Sequence, residues 1–514
     1  MISRRFAPFK MFMNFFGVNA RDTDENMLDG EWDEASIDIM SDPQGSVGMR
    51  RGFTGLTSAS IGSVTAWCGF YHYKINSTNA DHFLGGADDG KLYKFATNAY
   101  SELGSGYGSE DDDDRFRFTQ IDDLCIIADG ANTLLKYSGS GSVATLGGTA
   151  VTSDFAIEAW QYLWAHSTVD KRLMYYCTTS GSAESGFTSF LNFDEDPYTV
   201  TGASKQGDDM LVFKLWSIFR VVYTGITPKF KKYRVDTKIG AVNHDVIKEL
   251  PDGSVIFAAP DFNIYIAKGN EIVPVGENIQ PYIKAGVNSR LAYAVAGLNY
   301  NRSQYYLSFT YNSGVTTNDR TIVMDWSRPY QNRWGKLQFP WFIYSMAANC
   351  FAEAYVSGKS WIYHGGYVGK MYKGDTGTND DGVAIVSNYR SKLISMGDSS
   401  LEKKYSKLMM VHENKGAHNL DITLTCDDNA NTQKLITQSM TGGLGYQTLW
   451  GVGKWGEDYW SSEVDADVGR DIGRTGKLIR VNMGTDGVDE DWNISSFQLL
   501  AKPLRRGTVR TRES

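Results

Sequence analysis

The chain has 514 residues, 42% apolar and 13% aromatic. That length suits roughly two to four domains and the composition buries sizeable cores, which excludes a disordered chain. Fifty-three glycines against 11 prolines exclude collagen-like and polyproline segments and call for many tight turns. The 29 Tyr, 25 Phe and 13 Trp favour half-buried pleated surfaces, so the bulk reading is mostly β.

Charge is unevenly spread over the net −9. Residues 1–10 carry Arg4, Arg5 and Lys10; residues 501–514 carry five basic side chains against Glu513. The body between holds 43 basic and 59 acidic residues, a charge of −16 with two basic tips. Such a body does not cling to nucleic acid, because phosphate binding needs clustered Lys and Arg. The tips are either solvated termini or docking points for an acidic partner. Cys68, Cys125, Cys177, Cys350 and Cys426 are odd in number and form no CxxC, as expected of buried thiols in a reducing compartment. Lys10 and Asn14 interrupt the apolar start and no 18-residue apolar run follows, so the expectation is a soluble chain made in cytoplasm.

In chain order, residues 1–55 read as an extended lead-in with a strand at ASIDIM (35–40) and a weakly amphipathic helical piece at ENMLDGEWDEASI (25–37). The lead-in either pairs with a later sheet to close it or reaches onto a neighbouring subunit. From 56 to 380 one phrase recurs: LGGADDGKLYKF (84–95), IADGANTLLKYS (127–138) and HGGYVGKMYKGDTG (364–377). Each is a small apolar run, a Gly- or Asp-containing turn, then an alternating exit with an aromatic. The aromatics Tyr93, Tyr137, Tyr176, Tyr223, Tyr265, Trp326 and Tyr372 stand 44, 39, 47, 42, 61 and 46 residues apart. A spacing of about 40–50 residues is that of four-stranded propeller blades. Between the marks lie short Val-, Ile-, Phe-, Tyr- or Trp-rich runs that end at Gly, Asp, Asn or Ser, such as LMYYCTT (173–179) and QYYLSFTYNSG (304–314). A helical turn or two is expected at NIQPYIKA (278–285). The fold expected is all-β: a β-propeller of six or seven blades over 56–380. After TGTNDDG (376–382), KKYSKLMMVHE, NLDITLTCDD, GKLIRVNMG and WNISSFQLLAKPL alternate without the turn-aromatic phrase. Residues 381–514 therefore read as a C-terminal β-sandwich with a basic tail.

No candidate site in the sequence outweighs its structural explanation. SEDDDD (109–114) lacks the alternating ligands and bend glycine of a calcium loop, and reads as a solvated loop. Asp465, Asp467 and Asp471 in DADVGRDIG are a weaker cation candidate. The seven histidines show no HxH or HExxH spacing, and no G-x-S-x-G elbow is present. Asp194, Glu195 and Asp196 offer carboxylates, but a glycosidase pair must face one bond at a defined separation. The S-x-D-x-G-x-x-W boxes of sialidase propellers and the phosphate-cradling G-x-x-x-x-G-K-[ST] loop are absent. No catalytic residue, metal or cofactor is assigned, and the chain is read as no enzyme.

The order of phrases carries a resemblance. FFGVNARDTDENMLDGEWDEASIDIMSDPQGSVGMRRGF near the start, GDDMLVFKLWSIFRVVYTG (207–225), KIGAVNHDVIKELPDGSVIFAAPDFNIYIAKGNEIVPVGENIQPYI (238–283) and SWIYHGGYVGKMYKGDTGTNDDG (360–382) resemble the tail tubular, or nozzle, proteins of short-tailed bacteriophages. These are related to the packaged-DNA stabilisation factors below the portal. WGVGKWGEDYWSS (450–462) and the strands that follow it resemble that family's C-terminal sandwich. The resemblance implies a structural virion protein: a homo-oligomer, a hexameric ring in the tail, that conducts double-stranded DNA at retention and ejection. It implies contact with a portal-side adaptor ring and other tail proteins, assembly in the host cytoplasm and no membrane in the finished particle. Arg505, Arg506, Arg510 and Arg512 would then dock on an adjoining acidic ring. The alternatives are a propeller-based glycan hydrolase or lyase of a phage tail, and a monomeric propeller that binds protein partners.

Overall fold

The computed structural model describes residues 9–57, 61–96, 99–236, 238–440 and 466–504. The protein is all-β, built largely of four-stranded antiparallel sheets with a single six-residue α-helix, Gln280–Ala285, among the described residues. The chain divides into two compact units, one of Met1–Gly52, Tyr330–Ile343 and Gly377–Ser514, the other of Phe53–Pro329 and Tyr344–Thr376.

The second unit is a propeller-like wheel of seven blades. Their first strands are Trp67–Ile75, Arg117–Ile121, Ala156–Ala159, Val200–Gln206, Lys248–Glu249, Val295–Asn299 and Cys350–Val356. Each first strand touches the next, and Cys350–Val356 touches Trp67–Ile75, so the seven close into a ring around an axis. The remaining strands of each blade follow outward as a meander. In the fourth blade these are Asp209–Lys214, Ile218–Tyr223 and Phe230–Asp236. The seventh blade takes its outermost strand from far upstream: Phe53–Gly55 pairs antiparallel with Met371–Gly374. Of the lead-in, Phe53–Gly55 supplies this strand, while Met1–Gly52 belongs to the first unit.

The turn-aromatic phrase has a fixed place in this wheel. Tyr93, Tyr137, Tyr176, Tyr223, Tyr265 and Tyr372 lie in the third strand of successive blades, and Trp326 directly follows the third strand Arg320–Asp325. The phrase is the hairpin between second and third strands. The longest interval, from Tyr265 to Trp326, is occupied by the helix Gln280–Ala285 and the 3-10 turn Asn288–Tyr293 ahead of the sixth blade. A second α-helix was expected over 25–37; instead the chain turns at Thr23–Leu28 and Glu31–Trp32 pairs in parallel with Gly17–Val18. The reason is local. A Cβ at Gly30 would lie 2.2 Å from the Asn14 carbonyl oxygen, and the buried Glu31 carboxylate accepts from Asn19 Nδ2 (2.9 Å), Leu28 N (2.8 Å) and Tyr330 Oη (2.9 Å), contacts a helix would not make.

Cores lie between adjacent blades rather than at one centre. Tyr73, Leu84 and Leu92 of the first blade pack with Ile127, Leu135 and Tyr137 of the second. Trp67, Phe70 and Tyr93 of the first pack with Ala352, Tyr363 and Met371 of the seventh. Each fully buried Leu or Phe contributes about 1.5–3 kcal/mol. Blades approach closely at the third residue of three first strands. A Cβ would lie 2.1 Å from Phe116 O at Gly69, 2.8 Å from His244 Cα at Gly202 and 2.6 Å from Phe351 Cβ at Gly297. No larger residue fits there without the neighbouring blade moving.

The first unit contains two larger sheets beside two short two-stranded pairs, Gly17–Val18 with Glu31–Trp32 and Tyr330–Gln331 with Leu337–Gln338. Ile39–Ser41, Val47–Met49, Asn493–Pro503, Lys403–His412 and Ala466–Gly476 form one, with Phe9–Phe12 also along Asn493–Pro503. Ser387–Arg390, Ile479–Thr485, Asn419–Cys426 and Lys434–Ser439 form the other. Their inner faces meet through Phe497 of the first and Tyr389 of the second, ring centres 6.2 Å apart, joined by Phe15 and Phe12. Buried Arg50 ties this unit to itself through Asp38 (2.6 Å) and Asp380 (2.8 and 2.6 Å).

Candidate functional site

The wheel's axis is the place where side chains from many blades converge, and they line an open cavity of about 220 Å³. Its walls come from the first strands and entry loops of the first, second, fifth, sixth and seventh blades. Arg115 and Arg117 arrive together because they flank Phe116 at the start of the second blade, and alternate residues of an extended chain share a face. Asp245 arrives from the entry to the fifth blade.

The central contact is a two-bonded fork. Arg117 donates through Nε to Asp245 Oδ1 (2.8 Å) and through Nη2 to Oδ2 (2.7 Å), while Nη1 donates to the Asp154 carbonyl (2.8 Å). Burial works against the Asp245 charge, but the Arg117 guanidinium outweighs it and holds the carboxyl well below the usual carboxylate range. Beside it the His244 ring stacks on Phe155 at 4.4 Å, and its Nδ1 accepts the Ala203 amide at 3.4 Å. Burial, reinforced by Arg117, pushes His244 down to about 3, so the ring is neutral at ordinary pH. On the opposite face of Phe155 stacks His166, whose Nδ1 lies 2.5 Å from Asp154 Oδ1 and whose Nε2 lies 3.1 Å from Lys171 O.

These groups hold one another. A general base needs a free lone pair at a reacting proton, and both nitrogens of His166 are engaged within the fold. Asp196, one of the three sequence candidates for a carboxylate pair, is equally committed. It accepts from Lys214 Nζ (2.5 Å), Ser217 Oγ (2.6 Å) and Arg234 Nη2 (2.7 Å). Burial opposes its charge, but these donors bring it down to about 2. Glu195 pairs with Lys232 and Asp194 accepts from Asn192. The three carboxylates therefore serve ion pairs and turns, and they converge on no common bond.

The acidic run behaves as a shaped loop. Asp111, Asp112 and Asp113 bring carboxylate oxygens within 4.8 Å of one another. Asp113 is gripped by both terminal nitrogens of Arg290 (2.6 and 2.5 Å), and Asp114 caps the amides of Ser109 (2.5 Å) and Asp111 (3.3 Å). The carbonyls of Asp112 and Asp114 accept from Arg115, so the loop positions a hub residue. Of the second cation candidate, Asp465 lies outside the described residues, and Asp467 and Asp471 fall in the extended strand Ala466–Gly476 paired with Lys403–His412. Arg505, Arg506, Arg510 and Arg512 lie outside the described residues, as does the phrase WGVGKWGEDYWSS up to Asp465.

All five cysteines are free and buried. No described helix is long and apolar enough to cross a membrane. Sequence reasoning passed over Arg115, Arg117, His244 and Asp245. The available signal was RFRF (115–118), charge at alternate positions where a first blade strand should be apolar. No family model and no curated protein matches the chain.

Proposed function

We propose that this protein is a structural component of a short-tailed bacteriophage tail, a tubular or nozzle subunit that assembles into a ring conducting the genome. The observation that carries the reading is the closed seven-bladed wheel in one chain with a two-sheet unit, the organisation that the ordered phrases of the sequence imply for that family. Two physical features accord with it. The wheel is tied by inter-blade cores and by the Arg117–Asp245 fork, a rigidity suited to a part that retains DNA under pressure. The predominantly acidic body repels phosphates, so a duplex slides past it rather than sticking.

In this reading six copies form the ring, identical subunits multiply every lumen charge by the subunit number, and Arg505, Arg506, Arg510 and Arg512 dock on the adjoining acidic ring. The protein assembles in the host cytoplasm with the portal-side adaptor and other tail proteins, and it performs no catalytic step. The test is immunogold labelling of purified particles with an antibody to this chain. Label confined to the tail supports the reading; particles that carry no label, with the protein left in the infected-cell lysate, overturn it.

A further inference from the structure

We infer that the axial cavity of the wheel is a binding site for a small, singly charged oxyanion, a monobasic phosphate or an organic carboxylate. Arg115, Arg117 and Lys248 face the cavity against Asp245 and Glu353, three cations to two anions. Arg117 consumes the Asp245 carboxylate in its fork, and Glu353 Oε1 accepts the Leu298 amide at 2.7 Å.

Among the described residues Arg115 reaches no carboxylate except Asp245, which it shares with the closer Arg117. The Arg115 side chain is 9% exposed, and its nearest acid oxygen, Asp245 Oδ2, is 4.0 Å from Nε. Nη1 and Nη2 are satisfied by the carbonyls of Asp112 (3.2 Å), Asp114 (2.7 Å) and Tyr293 (3.0 Å). Nε is buried with no hydrogen-bond partner among the described residues. A buried guanidinium that leaves one N–H unmet and one charge unbalanced is costly, and the cost is removed by an anion that accepts from it. Among the described residues Lys248 enters no salt bridge, and it supplies a second donor on the same cavity wall.

The space matches the chemistry. About 220 Å³ leaves room for several waters, enough for a phosphate or a short carboxylic acid. Charge-assisted contacts from Arg and Lys are the usual means of holding such groups. One singly charged anion brings the cavity to neutrality.

The experiment is thermal unfolding of the full chain at constant ionic strength, with sodium phosphate or sodium acetate replacing sodium chloride. The expected result is a saturable rise in melting temperature in one of the two oxyanion arms beyond the chloride control; which arm responds distinguishes phosphate from carboxylate. Lys248→Met, which breaks no ion pair among the described residues, should fold normally and weaken the midpoint of that response at least tenfold, and Lys248→Arg should restore it. No rise beyond chloride in either arm, or the same response in Lys248→Met as in the parent, overturns the assignment.

Discussion

Arg117 and Asp245, 128 residues apart in sequence, meet in a fork of 2.8 and 2.7 Å that joins the second blade to the fifth across the wheel's axis. The two blades are not neighbours in the ring, so this contact ties parts of the wheel that no inter-blade core connects. Removing one partner leaves the other charge buried. Arg117→Met should therefore cost about 3–5 kcal/mol, while Arg117→Met combined with Asp245→Leu should recover much of that loss. Urea unfolding of the two singles and the double measures it. Strictly additive losses would mean the fork carries no coupling.

The glycine at the third position of the first strand is a spatial requirement at three blades. Gly297→Val places side-chain atoms on Phe351, where even a Cβ would sit at 2.6 Å. Destabilisation of about 2–3 kcal/mol is expected from such overpacking. Gly62→Ala, where nothing lies within 4 Å of the added carbon, should stay within about 0.5 kcal/mol of the parent. Denaturant midpoints of the two variants compare them directly.

Closure of the seventh blade depends on three residues from upstream. Phe53 packs edge-on against His364 and Tyr372, both at 4.8 Å. Phe53→Ala should lower stability by about 2 kcal/mol, less than a fully buried phenylalanine because the ring is partly exposed. It should also raise hydrogen exchange of Met371–Gly374 selectively, since that strand loses its outer neighbour. Uniform exchange changes across all seven blades would contradict local closure.

His244 makes the wheel sensitive to mild acid. In the unfolded chain the ring protonates below about 6.5, whereas in the fold it stays neutral down to about 3. Across that window the unfolded state binds more protons, so stability falls as pH falls. The loss from this one group is about 2 kcal/mol between pH 7 and pH 5. His244→Phe should flatten the stability curve over that range whatever it does to the value at pH 7. Asp196 acts lower: its folded value of about 2 lies beneath the ordinary 3.8, so its contribution is full above about pH 4 and is lost as pH falls through about 2. Asp196→Asn should change the slope only there.

The sequence made the wheel legible because one hairpin repeats. Tyr93, Tyr137, Tyr176, Tyr223, Tyr265 and Tyr372 mark third strands in six blades, with Trp326 at the end of the seventh such strand, and their spacing reflects a meander of fixed strand number. Six and seven units stay equally open in the sequence because the marks Tyr176 and Tyr223 are loosely defined there; both end third strands of blades. Partner choice was not legible. Alternation along Phe53–Gly55 says that it is extended, and nothing in it specifies Met371–Gly374. Nor does Phe9–Phe12 announce its pairing with the strand Asn493–Pro503. The hub was missed for a related reason: Arg115, Arg117 and Asp245 become neighbours only when the ring closes, and no local spacing records that.

The basic tail carries a prediction of its own. If these four side chains act only in docking, replacing Arg505, Arg506, Arg510 and Arg512 together by serine should leave the melting temperature of the isolated chain unchanged within about 1 °C. Incorporation into tails should fall at least tenfold, read as the yield of complete particles from complementation. Parental yield would remove the docking role from these four residues.

The most direct measurement is negative-stain imaging of the purified protein, alone and mixed with the tail proteins proposed as its neighbours. A ring of six copies around an open hole is the result expected of a tail conduit. Single wheels with no ring under either condition would contradict it.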